Sequence, residues 1–186
     1  MTQHWSVGAI TRGLLPVLLA LTALELLSGL VLGSVEATLL EFPTLLVLVP
    51  VVIGTAGNLG SVLSARLATA FHLGTLSFST EDELLVGNAA TTVLLAVTLF
   101  PLVGAGAWVT TALTGSPQLA LATVVVVALT SGVVLAAVAI VVALLVTYLA
   151  YRREADPDDV VIPVVTNVCD VLGVVVLFAV VELVVF

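Results

Sequence analysis

Long apolar runs separated by short polar stretches make up almost the whole chain. Five of them cover about Leu14 to Val35, Glu41 to His72, Leu84 to Val109, Leu119 to Ala150 and Val160 to Phe186. Each is long enough to cross roughly 30 Å of hydrocarbon, which takes about 20 residues of helix. Apolar positions are continuous within each run and do not alternate with period two, which selects helices over barrel strands. The predicted fold is an all-α integral membrane protein of five transmembrane helices, one membrane domain over residues 1–186. The longest runs exceed a single crossing, so those helices are expected to tilt or to project beyond the bilayer.

Polar breaks of note are confined to Gly74 to Glu83, Thr114 to Gln118 and Arg152 to Asp159, none with room for a soluble regulatory domain. The apolar run after Arg12 is too long for a signal peptide, so the first span is expected to be kept as an anchor. The second span carries Pro50, Gly54, Gly57, Asn58 and Gly60 in close succession. That density predicts a glycine-rich interruption of the helix, tolerated at membrane depth where backbone lines a cavity or is buried in protein.

Composition strengthens this picture. Hydrophobic residues make up 61% of the chain and charged ones 9%, with a mean hydropathy of +1.36. A soluble domain of this length needs far more charge to cover its surface. The chain has four arginines (Arg12, Arg66, Arg152, Arg153), no lysine and twelve acids, for a net charge of −8, which argues against nucleic acid as a partner. Acidic connections such as Glu81-Asp82-Glu83 and Glu154 to Asp159, without lysine, have the character of a salt-loving organism's protein. Cys169 is the only cysteine, which excludes an intramolecular disulfide and a cysteine metal cluster.

The arginines also set an orientation. With an odd number of spans the termini lie on opposite sides. A cytoplasmic N-terminus places Arg12, the end of the second span near Arg66, and Arg152-Arg153 inside, and leaves the outer connections without Lys or Arg. The positive-inside rule therefore predicts N-in, C-out. Trp5 and Trp108 fall where aromatic belts mark the two interfaces.

Chemistry concentrates in the few polar residues within the spans. Asp170 lies inside the fifth, where an ionised acid costs several kcal/mol unless it meets water, a partner or a cation. Thr166, Asp170 and Gly173 follow helical spacing and share a face, with Asn167 beside it. Hydroxyl, carboxylate and a glycine that admits close approach would suit a cation-lining surface. The alternative is a protonated acid hydrogen-bonded to a neighbouring helix. In the second span, backbone carbonyls and Asn58 Oδ1 would suit a hard cation, which prefers oxygen ligands. Equally, small residues every few positions let helices pack closely. Glu25 is mid-span in the first helix, Glu36 at the outer mouth, and Glu182 near the outer end of the last. Glu25 and Glu36 fit a pathway or, as readily, a packing residue and a solvated loop acid. His4 and His72 are too far apart to suggest a metal site. The chain contains no H-E-x-x-H, no G-x-S-x-G and no nucleotide-binding P-loop, so no enzyme is predicted and ATP is not consumed.

At the two polar motifs the sequence resembles the membrane domain of the MgtE magnesium transporter family, which also has a eukaryotic solute-carrier branch. Val49-Pro-Val-Val-Ile-Gly-Thr-Ala-Gly-Asn-Leu-Gly60, followed by Arg66-Leu-Ala, is similar to one element of that family. Asp156-Pro157, Pro163, Thr166 or Asn167, and Asp170-Val-Leu-Gly173 are similar to its ending. The resemblance covers nearly the whole chain. It implies transport of a divalent cation, Mg²⁺ or a similar ion, across the cell (plasma) membrane. The implied pore is dimeric and built by the second and fifth spans of two copies, with flux driven by the electrochemical gradient. The implied metal-binding residues are Asp170, with Asn58, Gly57, Thr166 and Gly173 lining the path, and Glu36 where the family tends to carry an acid.

Two departures bear on function. Ser61-Val62 stands where the family commonly has an Asn-Gln pair, which would alter selectivity. The cytoplasmic domains through which bacterial members sense Mg²⁺ have no counterpart in these residues. The partners implied are a divalent cation, the lipid bilayer and a second copy, or a similar half-size subunit. The alternative is a non-transporting membrane subunit whose glycines form an interface with a partner membrane protein.

Overall fold

The computed structural model describes residues 7–186 except 78, 80, 81, 116 and 154–156, with the backbone alone described at 9, 10 and 157–159. His4, Trp5, Glu81, Glu154 and Asp156 therefore lie outside the described residues, and Asp158 and Asp159 are described only as backbone. Among the described residues the chain forms helices α1 (Val7–Ser34), α2 (Glu36–Glu41), α3 (Pro43–His72), α4 (Glu83–Thr114), α5 (Leu121–Arg152) and α6 (Pro157–Val185), and no strand. All but α2 are long and apolar enough to cross a membrane, which gives the five expected spans.

Helix ends are set by local chemistry. Asp82 caps α4, its Oδ1 accepting from the Leu84 and Leu85 amides at 2.9 and 3.3 Å. At the far end of α3, Gly74 takes a positive φ of 66°. Its amide donates to the Phe71 carbonyl at 2.9 Å, and the Thr75 amide donates to the Ala70 carbonyl at 3.0 Å. That pair of bonds is the Schellman arrangement, and glycine adopts it without steric cost.

Two expectations need correction. The stretch around Glu36 is a short helix ending at Glu41, and Phe42 separates it from the second span. The glycine-rich interruption does not occur, because α3 is helical without a break from Pro43 to His72. The reason is packing. Leu45, Leu48, Val52, Ala56, Leu59, Leu63 and Leu67 form one buried stripe at helical spacing, and it holds α3 against its neighbours through the glycines.

Helices α3, α5 and α6 form the centre, α4 packs on α3 and α5, and among the described residues α1 contacts only α6 and α2. Small residues bring the helices together. A Cβ on Gly132 would run into the ring of the fully buried Phe100, and one on Gly104 would stand 2.9 Å from the Val125 backbone. These contacts lock α4 and α5 antiparallel. Without a hydrophobic drive between helices in lipid, such close backbone approach supplies the cohesion. Threonines in the spans, such as Thr92 and Thr147, donate to carbonyls one turn back at 2.9 and 2.7 Å, so their hydroxyls are satisfied within their own helices. Phe71 near the end of α3 meets Tyr151 near the end of α5, with ring centroids 5.8 Å apart. Arg66, Arg152 and Arg153 are thus near the same end of the bundle.

Candidate ion site

Helices α3 and α6 cross antiparallel through three glycines. A Cβ on Gly60 would stand 2.6 Å from Val165 Cγ1, one on Gly173 2.8 Å from Ile53 Cγ1, and one on Gly57 3.6 Å from Asp170 Oδ1. The order 53, 57, 60 on α3 thus runs against 173, 170, 165 on α6. Gly57 and Asp170 lie near the middle of their helices, at the depth where a carboxylate most needs compensation. The missing side chain at Gly57 leaves the Asp170 carboxylate against bare α3 backbone.

Asp170 is only partly buried, and among the described residues no cation acts on it. The neighbouring helix on this side is α1, which carries another acid, Glu25. One turn after Glu25, the Ser28 hydroxyl donates to the Asp170 carbonyl at 3.4 Å, so α1 leans on α6 at this level. Asn167, one turn before Asp170, buries its Oδ1 with no hydrogen-bond partner among the described residues. Thr166 turns its hydroxyl onto its own helix, donating to the Ile162 and Pro163 carbonyls at 3.0 and 3.1 Å, and keeps its lone pairs for a ligand.

The sequence-derived residues are partly brought together. Asp170 meets Gly57, while Gly173 packs against Ile53 of the same helix α3. Asn58, adjacent to Gly57, is exposed. Since α3 is unbroken, its carbonyls at Gly54 to Gly60 remain in helical geometry, and the part Gly57 and Gly60 play is to admit α6, while Gly54 is exposed. Glu36 does not join the group. It begins α2 before α3 starts, and Gly57 is about 20 Å further along at 1.5 Å per residue. Glu25 was a pathway candidate from sequence, whereas Ser28, one helical turn after it, was not, and its contact with Asp170 is visible only in the fold.

Comparison with known proteins bears on these same residues. The sequence model of the family described as MgtE, divalent cation transporter, matches residues 49–180, more than two thirds of the chain. The match takes in Gly57, Asn58, Thr166, Asp170 and Gly173 and leaves out Glu25 and Glu36. No curated protein matches the chain. Five apolar helices and the extent of the family match make this a multi-pass membrane protein of the MgtE divalent cation transporter family.

Proposed function

We propose that the chain carries divalent cations, Mg²⁺ foremost, across the cell membrane through a pore formed by α3 and α6 of two copies. The observation that carries this reading is the Gly57–Asp170 juxtaposition: a mid-membrane carboxylate, free of any cationic partner among the described residues, set against a helix stripped of side chain at that level. Asp170 is the residue that holds the ion, and Asn58, Gly57, Thr166 and Gly173 shape the path around it. Mg²⁺ gives up its waters reluctantly, so the carboxylate would meet a largely hydrated ion.

The exposed face of α3 supports a second copy. Gly54, Asn58, Ala65 and Thr69 are exposed along one side of the helix, with the partly exposed Ser61 between them. A polar amide facing lipid at this depth is unfavourable, whereas one facing a water-filled path or a partner is not. Two symmetry-related Asp170 carboxylates would balance the ion's two positive charges. With the N-terminus and all four arginines in the cytoplasm, inward movement of a divalent ion gains roughly 4.6 kcal/mol per 100 mV, twice the single-charge figure. No ATP is required.

Thiol labelling tests the path. Asn58→Cys, in a background where Cys169 is replaced by Ala, is expected to react with a membrane-impermeant thiol reagent and to be protected by Mg²⁺. A position 58 that stays unreactive from both sides would favour the alternative, a non-transporting subunit with its glycine face against a partner.

A further inference from the structure

Away from the ion site, one of the four arginines faces a cleft. Arg66, Thr69, Leu73, Thr75, Leu84 and Asn88 line a space of about 280 Å³ between the last turns of α3, the turn after it and the first turns of α4. The Schellman turn at Gly74 fixes one wall, since it positions Thr75 beneath the end of α3. Among the described residues none that lines the cleft is acidic, and Arg66 has no ion pair. Asn88 is buried and spends one amide hydrogen on the Leu84 carbonyl at 2.8 Å, which leaves the other for a ligand. Thr69 and Thr75 donate their hydroxyl hydrogens to the Ala65 and Ala70 carbonyls at 2.9 and 3.2 Å. Their oxygens are therefore left as acceptors.

A guanidinium and an amide N–H suit anionic oxygens, and two acceptor hydroxyls suit a ligand that also donates. The cleft falls just below the usual range of ligand-site volumes, with room for a headgroup and little more. Its place near the end of a span lets the Arg66 head reach the water interface while the stem lies along apolar surface.

We propose that this cleft binds a phosphate ester bearing free hydroxyls, with its anionic oxygens on Arg66 and Asn88 and its hydroxyls donating to Thr69 and Thr75. Such an ester comes from two sources, a glycerol-type phospholipid headgroup or a soluble glycerol phosphate.

The test is a titration of the full chain in detergent with short-chain phosphatidylglycerol, phosphatidic acid and glycerol 3-phosphate, read by thermal shift and native mass spectrometry. Saturable binding is expected. Arg66→Gln should weaken it about tenfold, the loss of one charge-assisted contact, while Arg152→Gln at the same end should leave it unchanged. Thr69→Val keeps the charge and should narrow the preference for phosphatidylglycerol over phosphatidic acid. Binding of the lipid alone assigns the cleft to the bilayer, and equal binding of glycerol 3-phosphate assigns it to a soluble ester. Absence of saturable binding by either ester, or equal loss in the two arginine variants, would overturn the proposal. An unchanged preference in Thr69→Val would overturn the part played by the hydroxyls.

Discussion

Asp170 Oδ1 stands 3.6 Å from where a Cβ on Gly57 would be, an ordinary van der Waals separation. Alanine therefore fits at Gly57 without moving the carboxylate, and a branched side chain does not. Gly57→Ala is expected to fold and keep most of its cation flux, whereas Gly57→Leu should fold and lose it. Flux into proteoliposomes, with helicity monitored by circular dichroism, checks the pair. Full activity in Gly57→Leu would mean that the carboxylate does not need the space.

The neighbouring glycine gives a purely structural prediction. Gly60→Ala forces its Cβ to 2.6 Å from Val165 Cγ1, and overpacking of this kind costs about 1–3 kcal/mol. Val165→Ala removes the obstructing methyl, since Ala139 Cβ and Cys169 Sγ remain at 3.5 and 3.6 Å. The double variant should thus recover melting temperature lost by Gly60→Ala alone. Gly132→Ala should be worse than either, because the Phe100 ring it strikes is fully buried and has nowhere to retreat. Thermal melts of the purified variants decide this.

Glu25 is exposed and stands one turn before Ser28, whose hydroxyl donates to the Asp170 carbonyl. Glu25→Gln should leave the fold intact and raise the Mg²⁺ concentration needed for half-maximal uptake, because one negative charge near the ion is lost. Uptake measured against Mg²⁺ concentration checks it. An unchanged half-saturation point would confine Glu25 to a passive place on α1.

Asp82, just outside the spans, gives a pH dependence. Its carboxylate is held below the ordinary value of 3.8, first by the Ser77 hydroxyl and then by the Ser77 amide, with further help from the Leu84 and Leu85 amides. A carboxyl lowered by folding adds stability above its unfolded pKa and loses it as pH falls through the folded value. The melting temperature of the native chain should exceed that of Asp82→Asn at neutral pH, and the gap should close as pH drops below 3.8. A gap constant with pH would assign the effect to cap geometry alone.

Hydropathy made the five spans legible, because continuous apolar runs about 20 residues long have few alternatives to a membrane helix. The short helix Glu36–Glu41 was not legible, since six residues between two apolar runs carry no period of their own. The expected break at Pro50 to Gly60 failed for a related reason. Local propensity disfavours glycine in a helix, but in lipid the backbone must be satisfied internally, and α5 and α6 pack against the bare surface. Asp170 stood out as a charge in an apolar run. Its neighbour Ser28 is 142 residues away, a contact that no spacing rule reveals.

The most direct measurement of the central claim is voltage-driven Mg²⁺ uptake into proteoliposomes, comparing the native chain with Asp170→Ala. Saturable uptake by the native chain, with Asp170→Ala at the level of empty vesicles and Gly57→Ala close to native, is the predicted result. Equal flux in the native and Asp170→Ala proteins would contradict it.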